Sequence, residues 1–419
     1  MSRAGVKLEA GCLGLWALLF PLLALAAESP ILRLETGMHT AKIYKIAVDA
    51  GERFLVTASD DKTARLWSLP EGRPLQVLRP PIGEGNEGQL YAVAISPDAR
   101  TIATGGWTGR EGDYSIYLFD RQSGRLTRRI GGLPNTITHL AYSKDGRFLA
   151  AGLGRDNGIR IYRSDGYALA AEDHDYGATV YGLDFAPDGR LATASVDGFV
   201  RLYGRDLKRI EKKPSPGGKR PYSVSFLPDG GRLAVVFYDS TRIDVLSGRD
   251  LQPVYSPDTR GIDNGTLNSV AWSSDGRFLY AGGTYDKEGS SPIVQWKDAG
   301  RGERSELPAT SSTVMHLVSL KRGGVAFGTG DPAFGILDPS GQKRLFRTAA
   351  IADFPAAGGR FSPITGRRDG PVQLRTVGRL PCPVFHQPAP ARDRASGRRL
   401  IASADPSRRP RDHRLEKHL

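Results

Sequence analysis

At 419 residues, with 39% hydrophobic and 25% charged residues, the chain has enough apolar content for a large core, which excludes a wholly disordered or fibrous protein. The net charge of +13 invites a polyanionic partner until the charges are located: residues 360–419 hold 14 of the 58 Lys and Arg and 5 of the 45 Asp and Glu, a balance of +9 that leaves +4 for the remainder. The basicity belongs to the C-terminal tail, not to a stripe on the body, and this argues against nucleic acid as the partner of the folded part.

The N-terminus reads as an export signal. Arg3 and Lys7 supply a positive flank, GCLGLWALLFPLLALAA an apolar stretch, and Ala24-Leu25-Ala26 small residues at the cleavage positions. Cleavage after Ala26 is expected. The competing membrane anchor needs about 20 apolar residues, and this run is shorter and broken by Pro21. Of the two cysteines, Cys12 lies in the leader and Cys382 in the tail. The mature chain therefore has no internal disulfide, although export would permit one.

From residue 46 onward one phrase recurs seven times: an apolar strand, a tight Asp-containing turn, a second strand. The copies begin at Ile46 (IAVDAGERFLVTASDDKTARLW), Val93, Leu140, Leu183, Val224, Val270 and Leu317, with start-to-start spacings of 41 to 47 residues. That is the period of a four-stranded propeller blade. The turn is Pro-Asp-Gly-Arg or a near variant, in which Asp favours the turn and Gly accepts positive φ without steric cost. Each copy continues into a third strand and a fourth, such as PLQVLR (74–79) or LTRRIG (126–131). A single blade cannot bury both faces of its sheet, so the blades must stack around an axis, and closing the ring protects the edges. The fold expected is all-β, a seven-bladed propeller. The segment ILRLET (31–36) is placed to complete the outer edge of the last blade, in competition with residues 342–350, and a truncated eighth blade stays open.

The chain from about residue 31 to 340 resembles WD-repeat (WD40) β-propellers, in which a His, a Ser or Thr, an Asp and a Trp of each repeat form a buried hydrogen-bonded set. Repeat one matches throughout with His39, Thr57, Asp61 and Trp67; repeat four carries His174, Thr193 and Asp197, with Tyr203 in place of Trp. Repeats two and three keep Asp113 with Phe119 and Asp156 with Tyr162, whereas repeats five to seven lose most of the set. The resemblance implies a structural role for these residues. A hydrolytic triad is the other meaning of His, Thr and Asp together, and burial of the set argues against it.

In such propellers the loops from fourth to first strands and from second to third strands emerge on one face. Four long insertions fall in these two classes: 80–89 and 106–114 around blade two, 257–266 and 283–291 around blade six. They offer Trp107, Arg110, Tyr285 and Lys287, residue types enriched at interface anchors. A second pattern puts Tyr44, Tyr91, Tyr181 and Tyr222 two residues before the aligned start of their strands, where Thr138, Asn268 and Met315 stand in the other repeats. Those side chains would crowd one mouth of the channel, either as blade packing or as an aromatic lip for a peptide or glycan. His139 and His316 occupy equivalent repeat positions, which marks them as repeat residues and not as a metal pair.

The Arg- and Pro-rich residues 355–419 do not continue the repeat and are expected to be disordered. Their composition is what a GC-rich gene yields in a shifted frame, a point that resequencing the gene would decide; a basic arm for anionic partners is the alternative. Bacterial relatives of the resembled family sometimes carry a caspase-like domain after the propeller, and nothing around Cys382 or His386 supports that activity. The domain reading is thus a signal peptide over 1–26, a propeller over 27–354 and the tail. The function expected is an exported bacterial protein, periplasmic or secreted and monomeric. It binds a protein or peptide, with no catalytic activity, metal, cofactor, nucleic acid or membrane span. The alternative is a metal-dependent hydrolase or lactonase-type propeller, which would need His and carboxylate ligands converging from several first strands.

Overall fold

The computed structural model describes residues 37–110 and 112–348. The export signal, ILRLET, residues 349–354 of the propeller reading and the whole of the tail lie outside the described residues.

Seven antiparallel sheets of four strands each follow one another, and in every sheet the strands lie in chain order. The innermost strands are Ile43–Val48, Leu90–Ile95, Ile137–Tyr142, Val180–Phe185, Pro221–Phe226, Ser269–Trp272 and Val314–Ser319. All seven repeat starts fall inside them. Each innermost strand packs on the next, and that of blade seven packs on that of blade one, so the ring is closed. Among the described residues the helical content is a single 3-10 turn, Asp298–Gly300, and no helix is long and apolar enough to cross a membrane.

The core is divided in the same way. Seven apolar clusters are each built from two successive blades, as where Ala92, Leu118 and Tyr114 of blade two meet Ile137, Leu140 and Tyr162 of blade three. The second strands are nearly continuous buried runs because both of their faces meet a neighbouring blade. Outer strands are short and largely exposed and, among the described residues, carry all of the exposed large hydrophobic side chains: Leu75, Leu126, Leu169, Ile210, Val254 and Phe346.

Ring closure departs from the expectation. The outer position of blade seven is filled by Lys343–Thr348, paired with Ala333–Leu337 in the same blade. Residues 343–348 are therefore the fourth strand of blade seven and not the start of an eighth blade, and they fill the position expected for ILRLET, which lies outside the described residues. Closure runs instead through side chains. Met38, Ile43, Ile46, Leu55 and Trp67 of blade one share a cluster with Leu320, Ala326, Phe334, Ile336 and Leu345 of blade seven, with the Trp67 and Phe334 rings 4.7 Å apart. Arg347 adds hydrogen bonds to the carbonyls of Gly72 and Glu71, at 3.2 and 2.9 Å.

Candidate functional site

The His–Thr–Asp set of blade one is a closed hydrogen-bonded chain. Trp67 Nε1 donates to Thr57 Oγ1 at 3.0 Å, Thr57 Oγ1 lies 2.6 Å from His39 Nε2, and His39 Nδ1 lies 2.8 Å from Asp61 Oδ2. Every valence is used if Nδ1 carries the proton, so Thr57 donates to Nε2. Although burial opposes it, the His39 imidazole and hydrogen bonds from Thr63 and Thr40 hold the Asp61 carboxyl down to about 2. Thr57 and His39 are fully buried. The hydroxyl is thus out of reach of any substrate, and the set holds the second and third strands and the preceding loop together.

Blade four uses a different chain. His174 does not take the place expected of it; it is exposed and faces Glu172 at 3.4 Å. Tyr176 sits there instead, buried, with its hydroxyl 2.8 Å from both Thr193 Oγ1 and the Tyr203 hydroxyl, and Tyr203 donates to Asp173. Asp197 pairs with the fully buried Arg201 at 2.6 Å, and that guanidinium lies over the Tyr176 ring, 3.8 Å from its centroid. Substituting Tyr for Trp in the third strand moved the donor, and a tyrosine two residues after the histidine supplied the matching hydroxyl. In the same two-residue offset from His174 lay the available signal.

At the mouth of the channel the structure gathers the tyrosines in two groups. Tyr44 and Tyr91 meet edge to face at 4.8 Å, with Tyr91 donating to Gln89 Oε1 at 2.8 Å. Tyr181 and Tyr222 stack at 4.6 Å, and Tyr238 extends the stack from Tyr222 at 5.8 Å with Arg220 over its ring. Asp60, beside Lys42 at 3.6 Å, borders the first group; its burial raises its carboxyl to about 6 despite the lysine.

The two pairs of inserted loops stand nearly across the ring from each other, since blades two and six are three blades apart on one side and four on the other. Strand order places both on the mouth side, because second-to-third and fourth-to-first connections leave the same end of every sheet. Each pair is stitched together. Around blade two, Gly88 N–H donates to Trp107 O at 2.7 Å and Trp107 N–H to Gln89 O at 2.8 Å, and Arg110 pairs with Glu87. Around blade six, Asn264 Nδ2 donates to Asp286 O and Asp286 N–H to Asn264 Oδ1, at 3.0 and 3.1 Å. Arg110 and Lys287 are exposed, and Lys287 reaches Glu306 at 2.8 Å. Trp107 is half-buried against Tyr114. Tyr285, expected as a surface anchor, is 4% exposed, packs in the core between blades five and six and donates to Glu306 Oε1 at 3.2 Å. Its ring is spent on the blade interface.

A polar pocket of about 310 Å³ on the opposite face is lined by Asp188, Arg190, Asp229, Gly231 and Arg249; Arg190 there is spent on Asp188 and on the carbonyls of Gly230 and Gly248. Among the described residues, no group of three or more His, Cys, Asp or Glu side chains converges as a metal site would require. Inside the channel, Lys45, His139 and His316 come together, a convergence that spacing of nearly 100 residues and more conceals in the sequence.

Five segments, 32–68, 72–120, 124–163, 170–204 and 257–288, match the family model of the WD40 repeat, described as WD domain, G-beta repeat. The matched segments cover blades one to four and a stretch entering blade six. Among curated proteins, the chain is 34% identical over 142 residues to WD repeat-containing protein SL1-17 of Schistosoma mansoni, covering 33% of this chain and 45% of that protein. It is 25% identical over 270 residues to pre-mRNA-processing factor 19 homolog 2 of Arabidopsis thaliana, covering 60% and 46%. To telomerase protein component 1 of Rattus norvegicus it is 26% identical over 205 residues, covering 48% and 7%. The chain thus spans less than half the length of each of these relatives.

Proposed function

We propose that this chain, a seven-bladed β-propeller built of WD40 repeats, is a non-catalytic scaffold that holds a protein or peptide partner on the mouth face, between the loops of blades two and six. WD40 propellers generally bind proteins, and the observation that carries the reading here is the pair of internally stitched loop clusters on opposite sides of one aromatic mouth. Loops already tied to each other lose little conformational freedom when a partner docks. Exposed Arg110, paired with Glu87, and exposed Lys287, paired with Glu306, set one surface ion pair at each side, with half-buried Trp107 beside the first.

The hydrolase or lactonase reading requires carboxylate and His ligands aimed at the axis. The innermost strands bring two histidines and a lysine together there, while the carboxylate of Asp184 on the blade-four strand is held by Phe226 N–H and Lys144 at 2.7 and 3.2 Å, which favours the scaffold. Export is part of the proposal and rests on the leader sequence alone; N-terminal sequencing of the protein recovered from its host would show a mature chain starting at Ala27.

The loop face is tested by Arg110→Ala combined with Lys287→Ala, each exposed and neither part of the core. Capture of the partner from an extract of the source cells is expected to fall about tenfold or more, as for loss of interface anchors, with an unchanged melting temperature. Undiminished capture would place the interface elsewhere.

A further inference from the structure

The residue immediately before each repeat start defines one level of the channel. Around the ring these are Lys45, Ala92, His139, Gly182, Ser223, Ser269 and His316. Four are small and three are long, and the long ones come from blades one, three and seven. The charge of Lys45 acts on both His139 and His316. Blades one, three and seven have only the axis in common, so the lysine points along it, toward the two imidazoles, whose ring centres are 5.9 Å apart.

Both histidines are pinned by one nitrogen. His139 Nδ1 lies 3.0 Å from Tyr181 O and 3.1 Å from Leu183 N; His316 Nδ1 lies 3.1 Å from Ile46 O and 3.3 Å from Ile46 N. Each ring thus ties its blade to the next and keeps Nε2 for the channel. Because Nδ1 of each ring sits between a carbonyl and an N–H, either tautomer is held; an anion at the axis selects the one in which Nδ1 accepts from the N–H and Nε2 donates inward. Among the described residues, no hydrogen-bond or ion-pair partner exists for either Nε2 or for Lys45 Nζ. Yet Lys45 is only 8% exposed. The amine thus has no protein counter-charge, and the same level carries no carboxylate to supply one: Ala92, Gly182, Ser223 and Ser269 are all buried and none is acidic. His316 is half-buried rather than sealed, so the channel admits solvent at this level.

We propose that Lys45, His139 and His316 form a binding site for a single carboxylate group, admitted through the tyrosine-lined mouth. Three donors converge, which suits the two oxygens of a carboxylate. The charge balance selects a monoanion. Burial lowers the Lys45 amine to about 7, and burial, followed by the charge of Lys45, holds both imidazoles well below their ordinary range. The cluster then carries at most one positive charge near neutrality, which a carboxylate neutralises and a phosphate dianion would exceed. Asp60, which borders the Tyr44–Tyr91 pair, is engaged with Lys42 and does not act on the Lys45 amine.

The probe is acetate, titrated into the full chain by calorimetry and by thermal shift, with inorganic phosphate as comparator. Acetate is expected to bind and to raise the melting temperature. Because the amine is charged below its pKa, affinity should be greatest near pH 6.5 and weaken about tenfold or more by pH 8.5 as Lys45 discharges. Lys45→Met, an apolar replacement of similar length in a buried position, should fold and abolish the response; His316→Gln, which keeps one donor, should weaken it without abolishing it. As an independent measure, acylation of Lys45 by an amine-directed reagent at about pH 7.5, followed by peptide mass spectrometry, should be slowed by acetate. Acetate binding that survives Lys45→Met, absence of acetate binding, or tighter binding of phosphate than of acetate would each overturn the proposal. Since Arg110→Ala with Lys287→Ala should leave acetate affinity intact, failure of this site and failure of the loop-face proposal are distinguishable.

Discussion

Thr57 and Thr193 occupy the same repeat position, and their neighbours make them unequal. Thr57 is the sole link between the Trp67 indole and His39, so Thr57→Val leaves a buried donor and a buried ring nitrogen without partners. Thr193 shares the Tyr176 hydroxyl with Tyr203, so Thr193→Val leaves those two tyrosines still bonded to each other. An unsatisfied buried group costs roughly 1–3 kcal/mol. Thr57→Val is therefore expected to destabilise by about 2–4 kcal/mol and Thr193→Val by about 1 kcal/mol, measured as the difference in unfolding free energy in urea. Equal losses would show that the two sets share one geometry. At this scale the sequence was legible where the family pattern is whole and opaque where one substitution moved the donor. Reading His174 as part of its set ignored that a tyrosine in the third strand needs a hydroxyl partner, which Tyr176 provides.

The blade is the unit in which local propensity decides most. In every blade the first turn contains a residue at positive φ: Gly146, Gly189, Gly230 and Gly276 in blades three to six, Gly323 and Gly324 in blade seven, but Glu52 and Ala99 in blades one and two. Ala99 shows that a Cβ is tolerated there, at the backbone cost of the left-handed region. At Gly146, with φ of +74°, an added Cβ would meet nothing nearer than Pro97 Cδ at 3.6 Å. Gly146→Ala is thus expected to destabilise by about 1 kcal/mol from backbone strain alone, as a shift in denaturant midpoint without a change in slope; a loss above about 3 kcal/mol would point to packing. Turn chemistry was readable because it depends on residues four or five apart. Burial of a loop residue was not, and Tyr285 illustrates it: its type and its loop suggested an anchor, while the approach of the neighbouring blade turned it inward.

A ring closed by packing has no weakest joint set by topology. The interface between blades seven and one is an apolar cluster of the same kind as the six others, reinforced by Arg347 on two carbonyls and by His316 on Ile46. Phe334, fully buried against Trp67, is the natural probe. Phe334→Ala is expected to cost about 3–5 kcal/mol while the protein still melts in one transition, seen as coincident tryptophan fluorescence and circular dichroism curves. Two separated transitions would mean that blade seven leaves the ring by itself.

The period, the turns and the alternation of apolar residues determined that this chain forms seven four-stranded blades, because each of those signals depends on neighbours within one repeat. They also identified the loops that are long enough to recognise a partner. Tertiary structure alone decided how the ring closes, since Lys343–Thr348 and an upstream strand are equally good by local propensity and only pairing with Ala333–Leu337 selects between them. It alone decided that Lys45, His139 and His316 meet. Each looks unremarkable in its own strand, and their convergence depends on an axis that exists only once seven blades have closed around it.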